Sequence, residues 1–165
     1  MKAIVVGGGL AGCEAAWQLA KHKIEVTLYE MKPEKKSPAH SLDLLGELVC
    51  SNSLRADTLE NGAGLLKAEM RMLDSVVTTC ADATRVPAGG ALAVDRVGFA
   101  QMMTDVIRRN PFIEVVQEEV HAIPDGDCVV IASGPLTSEA LSKSIQDFLG
   151  KEQLYFYDAA APIVT

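Results

Sequence analysis

No stretch of this 165-residue sequence approaches the roughly 18 consecutive apolar residues of a membrane-crossing helix, so no membrane contact is expected. A secretory leader is missing too: Met1-Lys2-Ala3-Ile4-Val5-Val6 runs straight into glycines with no cleavage-site pattern, which points to a cytoplasmic protein. Cysteine is sparse and scattered. Cys13, Cys50, Cys80 and Cys128 form no CxxC pair, and His22, His40 and His121 complete no zinc pattern, so reduced thiols and no metal centre are expected. Basic excess is absent: 15 Lys and Arg stand against 22 Asp and Glu, a net charge of −7. With no basic tail there is no global bias toward nucleic acid, and a polyanion would need a local patch or chain absent here. Internal repeats and low-complexity tracts are lacking as well. What is plentiful is apolar residue, 48% of the chain, which excludes a disordered tail and suits one α/β domain over residues 1–165.

Periodicity orders the chain. Lys2–Val6 reads as a strand. Leu10 to about His22 reads as a helix, with Leu10, Cys13, Trp17 and Ala20 at helical spacing, and Ile24–Glu30 alternates as a second strand. Strand, glycine turn, helix and strand make a βαβ unit with parallel strands. Met31–Leu44, with Pro33, Pro38 and Lys35-Lys36, reads as an exposed loop. Leu45–Arg55 favours neither state. Gly64–Val77 reads as one helix with Leu66, Met70, Leu73 and Val77 on one face, and Val86–Gly90 as a turn. Asp95 caps a helix whose stripe Phe99, Met102, Met103, Val106 and Ile107 faces a core, and Asn110-Pro111 ends it. Ile113–Val120 and Cys128–Ala132 follow as strands. Ser133-Gly134-Pro135 then interrupts before a helix with Leu141, Ile145 and Phe148 inward, and Leu154–Tyr157 reads as a last short strand.

The glycine turn carries the first chemistry. In Gly7-Gly8-Gly9-Leu10-Ala11-Gly12, the GxGxxG pattern falls on Gly7, Gly9 and Gly12. Gly7 permits the tight turn, Gly9 lets backbone approach a pyrophosphate, and Gly12 allows close packing of helix on strand. The helix that follows aims free N–H groups at the phosphates. GxGxxG alone is weak, but here a strand precedes it, a helix follows it, and Glu30 stands 18 positions after Gly12. A carboxylate at that strand end accepts hydrogen bonds from a ribose and repels a 2′-phosphate, which disfavours NADP. The unit itself leaves FAD and NAD open. Two features favour FAD: the motif opens the chain, and Val129-Val130-Ile131-Ala132-Ser133-Gly134 resembles the ATG motif of two-dinucleotide-binding flavoproteins, with Ser133 in the threonine position. Asp95-Arg96 resembles the segment between their two motifs. Gly7, Gly8, Gly9, Leu10, Ala11, Gly12, Glu30, Ser133 and Gly134 are therefore the candidate cofactor-binding residues.

Cys50 follows Leu48-Val49 and precedes Ser51-Asn52-Ser53, with Arg55 close in sequence. By residue type it stands between an inert buried thiol and a nucleophile, because hydroxyl, amide and guanidinium neighbours favour a thiolate. Cys13, Cys80 and Cys128 read as packing residues. Lys32, Lys35, Lys36 and Arg55 make either a phosphate-binding patch or a solvated face interleaved with Glu30, Glu34 and Asp43. His40 reads as an exposed loop histidine and Asp158 as a turn residue, while Met70, Met72, Met102 and Met103 read as core.

Longer strings narrow the choice. Gly7-Gly8-Gly9-Leu10-Ala11-Gly12-Cys13-Glu14-Ala15-Ala16, Leu28-Tyr29-Glu30-Met31-Lys32-Pro33 and Glu47-Leu48-Val49-Cys50-Ser51-Asn52-Ser53-Leu54-Arg55 resemble the folate- and FAD-dependent tRNA (uracil-5-)-methyltransferase family. So do Val86-Pro87-Ala88-Gly89-Gly90-Ala91-Leu92-Ala93-Val94-Asp95-Arg96, Gly134-Pro135-Leu136-Thr137-Ser138 and Tyr155-Phe156-Tyr157-Asp158-Ala159-Ala160-Ala161-Pro162-Ile163-Val164. The likeness spans essentially the whole chain.

This resemblance implies a Rossmann-like FAD-binding fold of the two-dinucleotide-binding flavoprotein type, with a parallel sheet and helices. It implies methylation of uracil C5 in the tRNA T-loop, with 5,10-methylenetetrahydrofolate as carbon donor and NADH or NADPH as reductant. It places Cys50 beside the flavin ring, in covalent or acid–base chemistry on uracil, and a second functional cysteine beyond residue 165. The chain is then the N-terminal part of a longer enzyme, expected to bind FAD weakly and not to turn over by itself. Two other readings stay open, an FAD-binding fragment without catalysis and a generic NAD- or FAD-dependent oxidoreductase.

Overall fold

The computed structural model describes residues 1–150, so the strand expected at Leu154–Tyr157 and the turn at Asp158 lie outside the described residues. The βαβ unit forms where the periodicity placed it: β1 (Lys2–Val6), α1 (Leu10–Lys21) and β2 (Glu25–Glu30). With β6 (Ile113–Gln117) and β7 (Cys128–Ile131) they make a parallel sheet of order β6-β2-β1-β7, in which Val5 faces Leu28 on one side and Val130 on the other. This is the order of the first four strands of a doubly wound fold. Val26, Thr27 and Leu28 are buried in succession, as expected of a parallel strand covered on both faces.

The ambiguous stretch before Arg55 resolves into a loop and then β3 (Ser53–Ala56), the edge of a small antiparallel sheet of order β3-β5-β4. β4 (Arg85–Val86) and β5 (Ala91–Val94) are joined by the expected turn. From β5 the chain enters α4 (Arg96–Arg109), where Asp95 Oδ1 accepts the Gly98 N–H at 2.9 Å. Phe99, Met103 and Ile107 are fully buried, with Met102 and Val106 half-buried behind them. α1 packs on the sheet and meets α4 and α3 (Val76–Ala83).

Two expectations fail. The single helix over Gly64–Val77 is instead α2 (Gly62–Met72) and α3, separated by Leu73, Asp74 and Ser75. Asp74 takes a left-handed φ of 52°, and Ser75 Oγ accepts the Thr78 N–H at 3.2 Å as the cap of α3. Such short polar side chains offer the backbone partners outside the helix. Distant residues fix the break: Trp17 Nε1 donates to Asp74 O at 2.9 Å, Lys21 Nζ donates to Leu73 O at 2.7 Å, and Glu14 Oε2 accepts the Val77 N–H at 3.1 Å. Leu66, Leu73 and Met72 consequently face outward, so Met72 is no core residue. In α5 (Glu139–Leu149), Leu141 is buried and Ile145 half-buried, but Phe148, expected inward, is 77% exposed. No helix of the described residues is long and apolar enough to cross a membrane.

Candidate functional site

The four glycines of the β1–α1 turn serve different ends. Gly7 has φ 107°, and a Cβ on it would meet the Ala132 carbonyl oxygen at 2.7 Å. A Cβ on Gly8 would meet Leu45 Cδ2 at 2.5 Å and Glu30 Oε2 at 2.7 Å, and one on Gly12 would run into the Gly7 carbonyl oxygen. These three are glycines because protein already fills the space. Gly9 has nothing within 4 Å of the corresponding point, so its missing side chain leaves room for something else.

That room lies at the start of α1, which has no side-chain cap and no acidic residue in its first turn. α2, α3 and α4 are capped by Asn61, Ser75 and Asp95. An uncapped N-terminus keeps free N–H groups and the positive end of the helix dipole, the environment an anion prefers. Glu30, buried at the end of β2, is held by two backbone donors: Gly8 N–H to Oε2 at 2.8 Å and Lys32 N–H to Oε1 at 3.0 Å. Each carboxylate oxygen keeps a lone pair for a hydroxyl donor.

A cleft of about 280 Å³ opens over this turn. Of the residues singled out from sequence, Gly7 to Ala11, Glu30, Ser133 and Gly134 line it. Gly12 lies buried beneath, where it lets α1 close on β1. Ser133 follows β7 and shares a 2.7 Å hydrogen bond with Thr137 Oγ1, which also donates to Gly134 O at 2.6 Å, so this wall is a closed turn. Cys50 is exposed, next to Val49, and only Val49 of the two lines the cleft. Its polar neighbours are engaged with backbone: Asn52 Nδ2 donates to Val94 O at 3.2 Å, Ser51 Oγ accepts the Ser53 N–H at 3.1 Å, and Ser53 Oγ accepts the Arg55 N–H at 3.2 Å. Burial, reinforced by Glu30, pushes the Cys13 thiol up to about 12, and burial with Glu14 pushes Cys80 up to about 11. Both are inert packing residues, as expected.

Most of the Met31–Leu44 loop is exposed or half-buried as expected, but Lys32 is not: it makes a buried ion pair with Glu47 of the stretch that follows. Lys32 and Glu47 each expose 2% of their side chains and meet at 3.7 Å. Lys32 Nζ donates to Leu44 O at 2.5 Å, while Glu47 accepts from Ser41 N, Ser41 Oγ and Leu42 N at 2.9, 2.8 and 3.2 Å. Burial alone would raise the Glu47 carboxyl, but the Ser41 and Leu42 donors and the Lys32 charge outweigh it and hold it below the usual carboxylate value. Leu45 N–H to Thr104 Oγ1 at 2.8 Å and Gly46 N–H to Gly8 O at 2.8 Å tie the loop to α4 and to the glycine turn. Arg96 donates to Leu48 O. The lysine patch does not assemble, because Lys35 pairs with Glu119 at 2.7 Å, Lys36 with Asp43 at 2.6 Å, and Lys32 is interior. Sequence reasoning missed Glu47, Glu118 and Glu119 as cleft residues and set His40 aside as exposed. His40 is half-buried and lines the cleft, its Nδ1 2.7 Å from Ser37 Oγ.

An open glycine before an uncapped helix, with a fixed carboxylate at the end of the next strand, defines a Rossmann-like dinucleotide-binding domain. The chain belongs to the glucose inhibited division protein A (GIDA) family, whose sequence model matches residues 2–165. Among curated proteins it is similar to Methylenetetrahydrofolate--tRNA-(uracil-5-)-methyltransferase TrmFO of Acetivibrio thermocellus, 60% identical over 161 residues that cover 98% of this chain and 37% of that protein. The protein of the same name from Pelotomaculum thermopropionicum is 63% identical over 160 residues, 97% of this chain and 37% of that one. The chain thus spans 37% of the length of these relatives. Among solved structures, Aquifex aeolicus GidA in its form I crystal shares the fold with a TM-score of 0.71 at 17% identity, over 89% of this chain and 30% of that one.

Proposed function

We propose that this chain holds FAD for the folate-dependent methylation of uracil C5 in the tRNA T-loop. The observation that carries the reaction is the close likeness, along nearly the whole chain, to curated methyltransferases of that name. The geometry supports the cofactor independently. The space at Gly9 and the free amides of α1 suit a diphosphate, and Glu30 suits ribose hydroxyls. With Glu118 and Glu119 also on the cleft wall beside Glu30, an added 2′-phosphate is disfavoured there, which speaks against NADPH in this cleft.

FAD, when bound, supplies the one-carbon and redox chemistry that brings the carbon of 5,10-methylenetetrahydrofolate to uracil as a methyl group, with NADH or NADPH as the source of electrons. The protein's part is to hold and to activate. The glycine turn and Glu30 fix the nucleotide end. Cys50, exposed beside the cleft wall at Val49, serves in covalent or acid–base chemistry on uracil; in the covalent role its sulfur adds to C6 and moves the C5–C6 electron pair onto C5, which becomes enolate-like and nucleophilic. Once C5 carries its new carbon, loss of the C5 proton expels the thiolate. This assignment puts the protein with its tRNA substrate in the cytoplasm.

The test is a visible spectrum of the protein loaded with FAD, followed by tRNA methylation with methylenetetrahydrofolate and NAD(P)H. Made in a full-length protein that carries this chain, since the chain by itself is expected not to turn over, Cys50→Ala is expected to keep the flavin band and lose methylation. Full activity with flavin retained removes Cys50 from the chemistry, and no flavin uptake by the unaltered protein overturns the whole assignment. A second reading, a flavin-holding domain with no turnover of its own, draws on the 37% coverage of the relatives. Bound FAD without methylation supports it.

A further inference from the structure

Among the described residues the cleft wall carries four glutamates, Glu30, Glu47, Glu118 and Glu119, and neither lysine nor arginine. Among the described residues lining it, His40 is the one side chain able to carry positive charge. Lys32 and Lys35, which do not line the cleft, pair with Glu47 and Glu119, but Glu30 and Glu118 have no ion-pair partner among the described residues, and a dinucleotide brings two phosphate charges beside them. The amides of the glycine turn offer dipoles to meet them but no compensating charge.

His40 is oriented for the task. Its backbone N–H donates to Ser37 O at 3.1 Å, and its Nδ1 lies 2.7 Å from Ser37 Oγ. That oxygen also accepts the Ala39 N–H at 3.3 Å and keeps a second lone pair and its own hydrogen, so it serves Nδ1 as donor to the neutral ring or as acceptor from the charged one. With Ser37 donating to Nδ1 the proton of the neutral ring sits on Nε2, the nitrogen Ser37 does not hold, and the charged ring carries a proton there in any case. The charged groups acting on the ring are Glu30 and Lys32 at and after the end of β2 and Glu47 on the following loop, while Glu118 and Glu119 after β6 share the cleft with it. Burial first, then the Lys32 charge, pushes the imidazole below its ordinary value, with Glu47 and Glu30 offsetting in part. The free protein therefore holds His40 neutral at pH 7. An arriving diphosphate favours the charged form.

We propose that His40 is a direct ligand of the bound nucleotide, donating from Nε2 to the ribose–diphosphate stretch of FAD and taking up a proton as that stretch binds. The proposal rests on the flavin reading of the cleft. Affinity then rises as pH falls, because a group whose proton is held more tightly in the complex links binding to protonation.

FAD titrations followed by flavin fluorescence between pH 8 and pH 6 test it, in a window above the ordinary carboxylate range. The unaltered protein is expected to bind roughly three- to fivefold more tightly at pH 6 than at pH 8, the part of a rise of about one pKa unit on binding that falls inside this window. His40→Gln keeps a donor but cannot titrate, so its affinity stays near the pH 8 value throughout. His40→Ala binds roughly tenfold more weakly at pH 6, the loss of one charge-assisted hydrogen bond. Calorimetry of the unaltered protein in two buffers of different ionisation enthalpy needs no variant and is expected to show roughly half a proton or more taken up per FAD near pH 6.5. The same pH slope in His40→Gln as in the unaltered protein, or no proton uptake, overturns the role of His40 while the flavin reading stands. No flavin uptake at any pH overturns both.

Discussion

The glycine turn at residues 7–12 and the loop at residues 40–50 line one cleft but are built on opposite principles. The turn is made by leaving side chains out: Gly7, Gly8 and Gly12 stand where a Cβ would strike Ala132, Leu45 or the turn's own carbonyl. The loop is made by putting charges in. Lys32 and Glu47 are buried with their donors and acceptors satisfied by Ser41, Leu42 and Leu44. The turn answers chiefly to volume, with one tie to a carboxylate where Gly8 N–H donates to Glu30. The loop answers to protonation, because its framework is an ion pair. The two meet at Gly8, which accepts the Gly46 N–H and has Leu45 against its Cα. Cleft shape therefore depends on both kinds of order at once.

The largest expected effect tests the loop. Glu47→Ala leaves the Lys32 ammonium buried without its carboxylate and should cost about 3 kcal/mol or more, read from denaturant unfolding. A loss below about 0.5 kcal/mol, the range of ordinary surface substitutions, would mean the pair does not hold the loop. Gly12→Ala, the matching test of the turn, is expected to cost about 2–3 kcal/mol through overpacking against the Gly7 carbonyl. Gly9→Ala is the control: it should leave stability within about 0.5 kcal/mol, since nothing fills that space, and weaken FAD binding instead. Equal destabilisation by both would erase the distinction between a packing glycine and a ligand glycine.

Acid sharpens the comparison further. Glu47 is held below its ordinary value, so its stabilisation is complete above the unfolded-state value of about 4.3 and is lost as pH falls through the lower folded value. Asp57 acts in the same direction: burial would raise it, but Arg71 and Arg85, each at 2.9 Å, outweigh that and hold it low. Unfolding free energy should therefore decline from about pH 4.5 downward, and Glu47→Gln should flatten part of that decline without altering the contribution of Asp57. The smallest effect belongs to Phe148→Ser. With the ring 77% exposed, it should change stability by less than about 0.5 kcal/mol, whereas the inward position suggested by periodicity would cost several times more.

The glycine turn was legible because its signals are local. A strand, a GxGxxG and an acidic residue at the next strand end each act over a few residues, as do the Asp95 cap and the apolar stripe of α4. The break between α2 and α3 was not, since Asp74 and Ser75 look tolerable in a helix until Trp17, Lys21 and Glu14 claim the neighbouring backbone from 52 or more residues away. His40 and Glu47 carried no signal for the same reason. A loop histidine among lysines and prolines looks solvated until the fold closes Glu30 and Glu47 around it.

By itself, then, the sequence determined the β1–α1–β2 unit, the open place at Gly9 and the carboxylate beside it, because backbone freedom and strand and helix periodicity belong to neighbouring residues. Only the tertiary structure decided which charges lie inside, where the long helix breaks, and that Val49 forms the cleft wall while Cys50 stays exposed. Burial and hydrogen-bond partners depend on segments far apart in the chain. The same lysine is surface or core according to whether a carboxylate and a carbonyl arrive to meet it.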